Sequence, residues 1–463
     1  MDEPTNDLGA SFSVEKPSYE DLVALVLEQR RIIDQLQKRV AELEQQLGLG
    51  GPPPPSISIK TSKPKIASKR KPRHLQFSRR RERPTHVVDH VPEACPDCGR
   101  TLSGGGPGFS RQVIDIPLIA VQITDHVMHD RWCGVCRKRV RAKVDFSPLV
   151  SGKRRIGHGL ASWIVNLHIG ARVPIRIIQT ILKQLCSVHV SIGEITDLLA
   201  LVATKAAPTI ECIKEEVRSS KVLHADETGW RQNGEYRCLW SLSTPTARWF
   251  HIDERRTAEV ASRLIGENSD RTLVTDFYAA YNHIPGRHQR CWPHFQRALE
   301  KLRLHPLVDR HLHGWIDAVL HLWSEARKYR TFCLSAPRFG ASVFDRKRKR
   351  RKLEQRLYAL AEPYLEADAE YVPQATLARR IGLFLGELFT FVEYPEVPDD
   401  NNAAERAIRP AVIARKVCGG TRSLKGTRVK ADLMTLVATW KIQRKDPIAE
   451  CRAILAAPMY ATS

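Results

Sequence analysis

The sequence predicts a multidomain chain of mixed α+β and α/β type, and three features predict it. Short apolar runs separated by turn residues occupy positions 222–276, long stretches of helical periodicity flank them, and two Cys-x-x-Cys pairs come before. The length of 463 residues is enough for more than one core.

Taken in order, residues 1–17 are polar and expected to be disordered. A helix is expected over 18–47, with Ser18 as its cap. Val26, Ile33, Val40 and Leu47 fall at one heptad position, and Leu22, Gln29, Leu36 and Leu43 at the other. β-Branched residues at the first set with Leu at the second favour a parallel two-stranded coiled coil, hence a homodimer or higher oligomer. A lone amphipathic helix packed on its own chain fits the same residues. Gly48–Gly51 and Pro52–Pro55 then open a Pro-rich and basic arm over 48–85 that includes Arg79, Arg80 and Arg81.

Residues 86–148 carry Cys95 and Cys98, then Cys133 and Cys136. Two such pairs predict a zinc ribbon, because structural Zn²⁺ takes four soft ligands at tetrahedral corners and each turn presents two thiolates. Gly99 suits the turn after the first pair, whereas Arg137 holds that place after the second.

Residues 149–218 read as a helical module. Ile175, Ile178, Ile181, Leu182 and Leu185 line one helix, the chain breaks at 186–190, and Ser191 with Glu194 forms a capping box for the next. Helix, turn and helix suit reading DNA in the manner of a helix-turn-helix, and equally suit packing as a support.

The 219–304 segment reads as three strands, Val222–Asp226, Tyr236–Leu242 and Arg248–Ile252, then a helix and a fourth strand ending at Asp276. The fourth is expected to cross over and lie beside the first, with Asp226 and Asp276 each at a strand tip. Residues 305–392 read as an all-helical insertion that contains Arg346, Lys347, Arg348, Lys349 and Arg350. The core resumes over 393–446, and 447–463 reads as a C-terminal tail.

The formal net charge is +22, and it is concentrated. Residues 60–83 hold eleven Lys and Arg against one acid, Glu82, and Arg346–Lys352 is seven consecutive bases. Such runs neutralise phosphates without sequence choice, although solvated surface charge gives the same composition. No apolar stretch approaches the roughly 18 residues a membrane helix needs, and the acidic start is unlike a signal peptide. The eleven cysteines form two pairs and seven singles, a reducing-compartment pattern that suggests a cytoplasmic, nucleoid-associated protein.

Four sequence words carry a resemblance: Asp226-Glu227-Thr228, Asp276-Phe277-Tyr278-Ala279-Ala280-Tyr281, Cys291-Trp292-Pro293-His294, and Asp400-Asn401-Asn402 leading to Glu405-Arg406. In their order they resemble the DDE transposases of the insertion-sequence sixty-six family. The resemblance implies a ribonuclease H-like core in which Asp226, Asp276 and Glu405 hold two Mg²⁺ or Mn²⁺ ions per active site. Two ions about 4 Å apart activate water and stabilise a leaving oxygen. The partners implied are the ends of a mobile element and target DNA, with accessory proteins from the same element possible.

Neighbouring residues compete for these roles. A strand places Glu227 on the face opposite Asp226, and Asp400 is positioned to cap the Glu405 helix. Arg409 lies four residues beyond Glu405 on the same face, where it suits a phosphate, as do Arg406, Arg415 and Lys416. Cys291 and His294 are expected to serve structure or DNA contact. The segment 415–426 departs from the commoner family wording, in which an aromatic residue occupies its middle, but keeps small and basic residues able to approach a phosphate backbone closely. Two other functions fit the sequence: an endonuclease of the same fold without strand transfer, and a non-catalytic DNA-binding regulator.

Overall fold

The computed structural model describes residues 28–36, 38–39, 83–104, 111–114, 121–306, 309–335 and 341–458. The chain divides into two compact units, Met1–Val113 and Ile114–Ser463. In the first, residues 28–36 are helical (α1), with Ile32, Ile33 and Leu36 exposed. Of the heptad positions, Leu22, Val26, Val40, Leu43 and Leu47 lie outside the described residues, as do Arg79, Arg80 and Arg81 of the basic arm.

The predicted ribbon over 86–148 falls across this division, and each cysteine knuckle is formed within its own unit. At the first, the Gly99 N–H donates to the Cys95 carbonyl at 2.9 Å and Gly99 has φ +71°. The second knuckle joins β1 (Asp130–Cys133) to β2 (Lys138–Arg141), which pair antiparallel. There Arg137 takes φ +49°, the left-handed position that Gly99 fills in the first. The two turns therefore share a shape despite the different residue.

The five-stranded sheet has the order β5-β4-β3-β6-β7. Its members are β3 (Val222–Gln232), β4 (Glu235–Ser243), β5 (Arg248–Asp253), β6 (Thr272–Thr275) and β7 (Arg287–Arg290). β3, β4 and β5 form an antiparallel meander, while β6 runs parallel to β3 and β7 parallel to β6. The expected crossover is thus present. Asn233 (φ +51°) and Gly234 (φ +86°) turn β3 into β4, both in the left-handed region a two-residue hairpin needs.

Two strand predictions need correction. β3 does not end at Asp226 but runs on to Gln232, so that carboxylate sits within a strand rather than at its tip. The Glu227-Thr228-Gly229 word looks like a turn, but the stop comes from Asn233-Gly234 instead. β7 was not foreseen at all, because Arg287-His288-Gln289-Arg290 has no apolar residue to alternate.

Two cores flank the sheet. Leu223, Ala225 and Leu273 join one that includes Ile164, Leu199, Trp249 and Leu436. Val274 joins the other, with Trp292, Trp323, Phe389 and Phe391. The module expected at 149–218 is not separate, since α4 (Ile192–Lys205) and α5 (Ala207–Ser219) share the first core with the sheet and with α13 (Leu424–Ile442). Its capping box is present: the Ser191 hydroxyl accepts from the Glu194 N–H at 3.1 Å, and Glu194 accepts from the Ser191 N–H at 2.9 Å. Within the expected tail, α14 (Pro447–Ala456) buries Cys451 and Leu455. Helices α8 (Arg310–Ser335), α9 (Val343–Ala361), α10 (Ala375–Leu388) and α11 (Thr390–Glu393) fill the span expected as a helical insertion. Together with α7 (Trp292–Leu302) they build the second core, in which Trp292 stacks on Trp323 with ring centroids 5.6 Å apart.

One buried charge has a measurable cost. Lys430 on α13 lies 3.2 Å from His168 Nε2, and burial lowers its pKa to about 8. Because the folded value lies below the unfolded one, the folded protein sheds this proton first. Stability is therefore expected to rise between about pH 8 and pH 10. Lys430→Met should remove that rise and be more stable than wild type at pH 7 by up to about 3 kcal/mol in urea melts. A steeper rise in the variant would contradict this.

Candidate active site

β6 pairs with β3 only as far as Val274 opposite His224. Asp226 and Asp276 each come two residues later, so they stand level where the parallel strands part. Asp276 Oδ1 accepts the Tyr278 N–H at 2.9 Å. The fully buried Arg290 of β7 donates to the Asp276 carbonyl at 3.0 Å and to the Thr275 hydroxyl at 3.1 Å, fixing the end of β6.

Asp226 is held in an unfavourable state as a free carboxylate. Burial, then the charges of Glu227 and Asp276 and finally Glu405, push its pKa up to about 7, against a hydrogen bond from the Glu227 N–H that lowers it. Glu227 points elsewhere. It pairs with Arg256 at 2.6 Å and accepts from the Tyr281 hydroxyl, with only 2% of its side chain exposed.

Glu405 arrives on α12 (Asn402–Cys418), and the three residues before that helix lock it in place. Asp399 accepts from Trp323 Nε1 at 2.7 Å, and its carbonyl accepts the Trp292 N–H at 3.0 Å. Asp400 accepts the Asn402 N–H at 3.0 Å from one residue before the N-cap, a place taken by Asn401 and not, as expected, by Asp400. Asn401, 1% exposed, is the bolt between α12 and β3. Its Nδ2 donates to the Ala225 carbonyl at 2.8 Å, its Oδ1 meets His224 Nδ1 at 3.1 Å, and its N–H donates to Cys291 Sγ at 3.2 Å. Burial holds the His224 pKa down at about 4, so the ring is neutral and its N–H donates to Asn401.

Around Glu405 a second set of groups gathers. Its Oε1 lies 3.6 Å from His294 Nδ1 and 3.6 Å from the exposed guanidinium of Arg297, beyond hydrogen-bond reach of either. Among the described residues, Cys291, His294 and Glu405 are the set whose ligand atoms lie within 4.8 Å of one another. Asp226 and Asp276 face Glu405 through their charges rather than as members of that set. Burial pushes the Cys291 thiol up to about 12, which keeps it protonated.

The basic residues separate into two kinds. Arg406, Arg409 and Lys416 are exposed on α12, whereas Arg415 is half-buried and donates to the Gly229 carbonyl of β3. Pro410 lies inside α12 rather than near its start, where it removes one helical hydrogen bond. On α9, Lys349 pairs with Glu325 at 2.6 Å, and Arg350 pairs with Glu354 at 2.7 Å and Glu393 at 2.9 Å. Arg346 is half-buried, while Lys347 and Arg348 are exposed. Part of this run therefore holds the insertion together.

The segment after α12 has a structural role. The Thr421 N–H donates to the Arg231 carbonyl at 2.9 Å, and the Asn233 N–H donates to the Thr421 carbonyl at 2.7 Å, so the chain joins the edge of β3. Gly420 has φ +94°, and a Cβ there would stand 2.1 Å from the Arg231 carbonyl oxygen. Only glycine fits there.

Sequence reasoning missed Asn401 and Arg290 as positioning residues. The sole signal for the first was its place in the Asp-Asp-Asn-Asn word, and for the second there was none.

Comparison with known proteins adds two similarities. A family model described as the IS66 family of transposases matches residues 153–429. An uncharacterised protein of Sinorhizobium fredii, y4jO, is 29% identical over 172 residues, which are 37% of this chain and 48% of that protein. The chain thus spans about half the length of this relative.

Proposed function

The chain belongs to the IS66 family of transposases, and on that premise we propose that it binds the ends of its own element, nicks them and joins the freed 3′ hydroxyl to target DNA. The observation that carries this reading is Asp226, a carboxyl whose pKa burial and three neighbouring acids lift to about 7 at the parting of two parallel strands. A group so placed gains from a nearby cation. The strand order, an antiparallel meander with two parallel strands added, supports a ribonuclease H-like core.

Asp226, Asp276 and Glu405 would hold two Mg²⁺ or Mn²⁺ ions, which when bound supply an activated water and offset charge on the leaving oxygen. Asn401 keeps the Glu405 helix against β3, and Arg290 keeps Asp276 at the end of β6. Arg406, Arg409 and Lys416 present exposed charge to the DNA backbone from the Glu405 helix, and Lys347 and Arg348 do so from α9. Cys95, Cys98, Cys133 and Cys136 would supply the four thiolates that structural Zn²⁺ takes. In support, the Cys98 N–H at the first knuckle and the Cys136 N–H at the second hold the Cys95 and Cys133 thiols below their usual range. Pairing two element ends takes at least two protomers, and the coiled coil expected over 18–47 would join them.

The test is a supercoiled donor carrying the element's ends, incubated with protein, Mg²⁺ and target plasmid. Joined products are expected. Nicking without joining would replace this reading with an endonuclease, and binding without either would replace it with a DNA-binding regulator.

A further inference from the structure

His294 Nδ1 and Glu405 Oε1 are both buried, and neither has a hydrogen-bond partner. Buried polar atoms are rarely left so. The two face each other at 3.6 Å, too far to bond and too close to ignore. A common metal ion accounts for two such atoms facing each other, since cis ligands each about 2.1 Å from an octahedral ion stand roughly 3.0 Å apart, a small shift from the spacing found.

The ring is placed by the fold. His294 lies in the first turn of α7, whose start is fixed by the hydrogen bond from the Trp292 N–H to the Asp399 carbonyl. Asp399 and Asn401 also hold the start of α12, so one short stretch of chain positions both His294 and Glu405. Cys291 completes the local set, but its sulfur already accepts the Asn401 N–H at 3.2 Å. It therefore acts as a brace, and the ligands are a nitrogen and an oxygen. Arg297, at 3.6 Å from the same Glu405 oxygen and 58% exposed, can turn away into solvent.

We infer that His294 is a direct ligand of the divalent ion held by Glu405, giving that position mixed nitrogen and oxygen coordination and a preference for Mn²⁺ over Mg²⁺. The inference rests on the metal-dependent reading above. Imidazole suits transition metals, whereas Mg²⁺ keeps oxygen and water ligands. The ion at Asp226 and Asp276 alone would carry no such preference.

The experiment is Mn²⁺ binding to the full-length protein, followed by electron paramagnetic resonance with pulsed detection of ¹⁴N coupling. Wild type, His294→Asn, His294→Gln and Glu405→Gln would be compared. Wild type should show a ¹⁴N-coupled Mn²⁺ that both His294 variants lose, with affinity at one site falling at least about tenfold, as even removal of an outer partner does. Glu405→Gln should lose the same site. Two His294 variants guard against misfolding of either, and retention of the Glu405-dependent site without ¹⁴N coupling would confirm an intact protein.

Equal ¹⁴N coupling and affinity in wild type and both His294 variants, with the site still lost in Glu405→Gln, would overturn the inference and leave the metal reading standing. Unchanged binding in Glu405→Gln would overturn the metal reading itself.

Discussion

Glu405→Gln is expected to lower metal-dependent cleavage of element-end DNA by at least about 10³-fold, equivalent to roughly 4 kcal/mol of barrier. The substitution keeps the size and hydrogen-bonding reach of the side chain but removes its charge. A neutral amide cannot offset the charge of a divalent ion, and positioning the ion is what the carboxylate contributes. The rest of the protein should be little affected, because Oε1 of Glu405 has no hydrogen-bond partner and meets His294 and Arg297 only at 3.6 Å. DNA affinity, which comes from exposed bases such as Arg406 and Arg409, should stay within a few-fold of wild type in a gel-shift titration. Loss of binding together with cleavage would mean that Glu405 serves the structure of α12 rather than the chemistry.

Asn401→Ala should have the next largest effect, and it should be visible in both stability and rate. The amide satisfies His224 and the Ala225 carbonyl, and the backbone beside it holds Cys291. Truncation strands two buried groups, at a cost of roughly 2–4 kcal/mol in urea unfolding. It also loosens α12 on β3 next to Asp226, and misplacement of a reacting group by about 1 Å lowers rates about 10²-fold. A variant that unfolds at the wild-type urea concentration and cleaves at the wild-type rate would show that α12 is positioned by its other contacts alone.

The features legible in the sequence share one property: their causes lie close together in the chain. Asn233-Gly234 specifies its hairpin through two backbone conformations, and Ser191 with Glu194 specifies a helix start through a reciprocal pair of hydrogen bonds. The meander and its crossover followed from such local signals. β7 was hidden because its polar residues become a strand only through distant partners. Gln289 accepts the Phe391 N–H at 3.0 Å, across 102 positions of chain. The outer half of β3 was hidden for a similar reason, since Trp230 and Gln232 are met there by Thr421 and Thr427 from the far end of the protein. The basic run on α9 illustrates the limit of composition, because Lys349 and Arg350 are occupied by acids that no local pattern identifies.

The site was legible in a different way. Spacing alone gave no reason to single out Asp226, Asp276 and Glu405 from the other acids; the surrounding words did. The register of β3 against β6 supplies the physical counterpart, since it sets the two aspartates level where the strands part. Asn401 acts across 176 positions to Ala225, and no pattern within its own word shows that contact. For His294 the sequence suggests structure or DNA contact, and its orphan nitrogen facing an orphan carboxylate oxygen is visible only in three dimensions.

The most direct test of the carboxylate centre is single-turnover nicking of an end-labelled duplex with the element's terminal sequence, by wild type and Asp226→Asn, over a Mg²⁺ titration. Nicking by wild type that rises with Mg²⁺ and is absent in Asp226→Asn, with equal DNA binding, is the predicted result. Nicking by Asp226→Asn at the wild-type rate, or nicking by wild type that persists when Mg²⁺ is chelated, would contradict it.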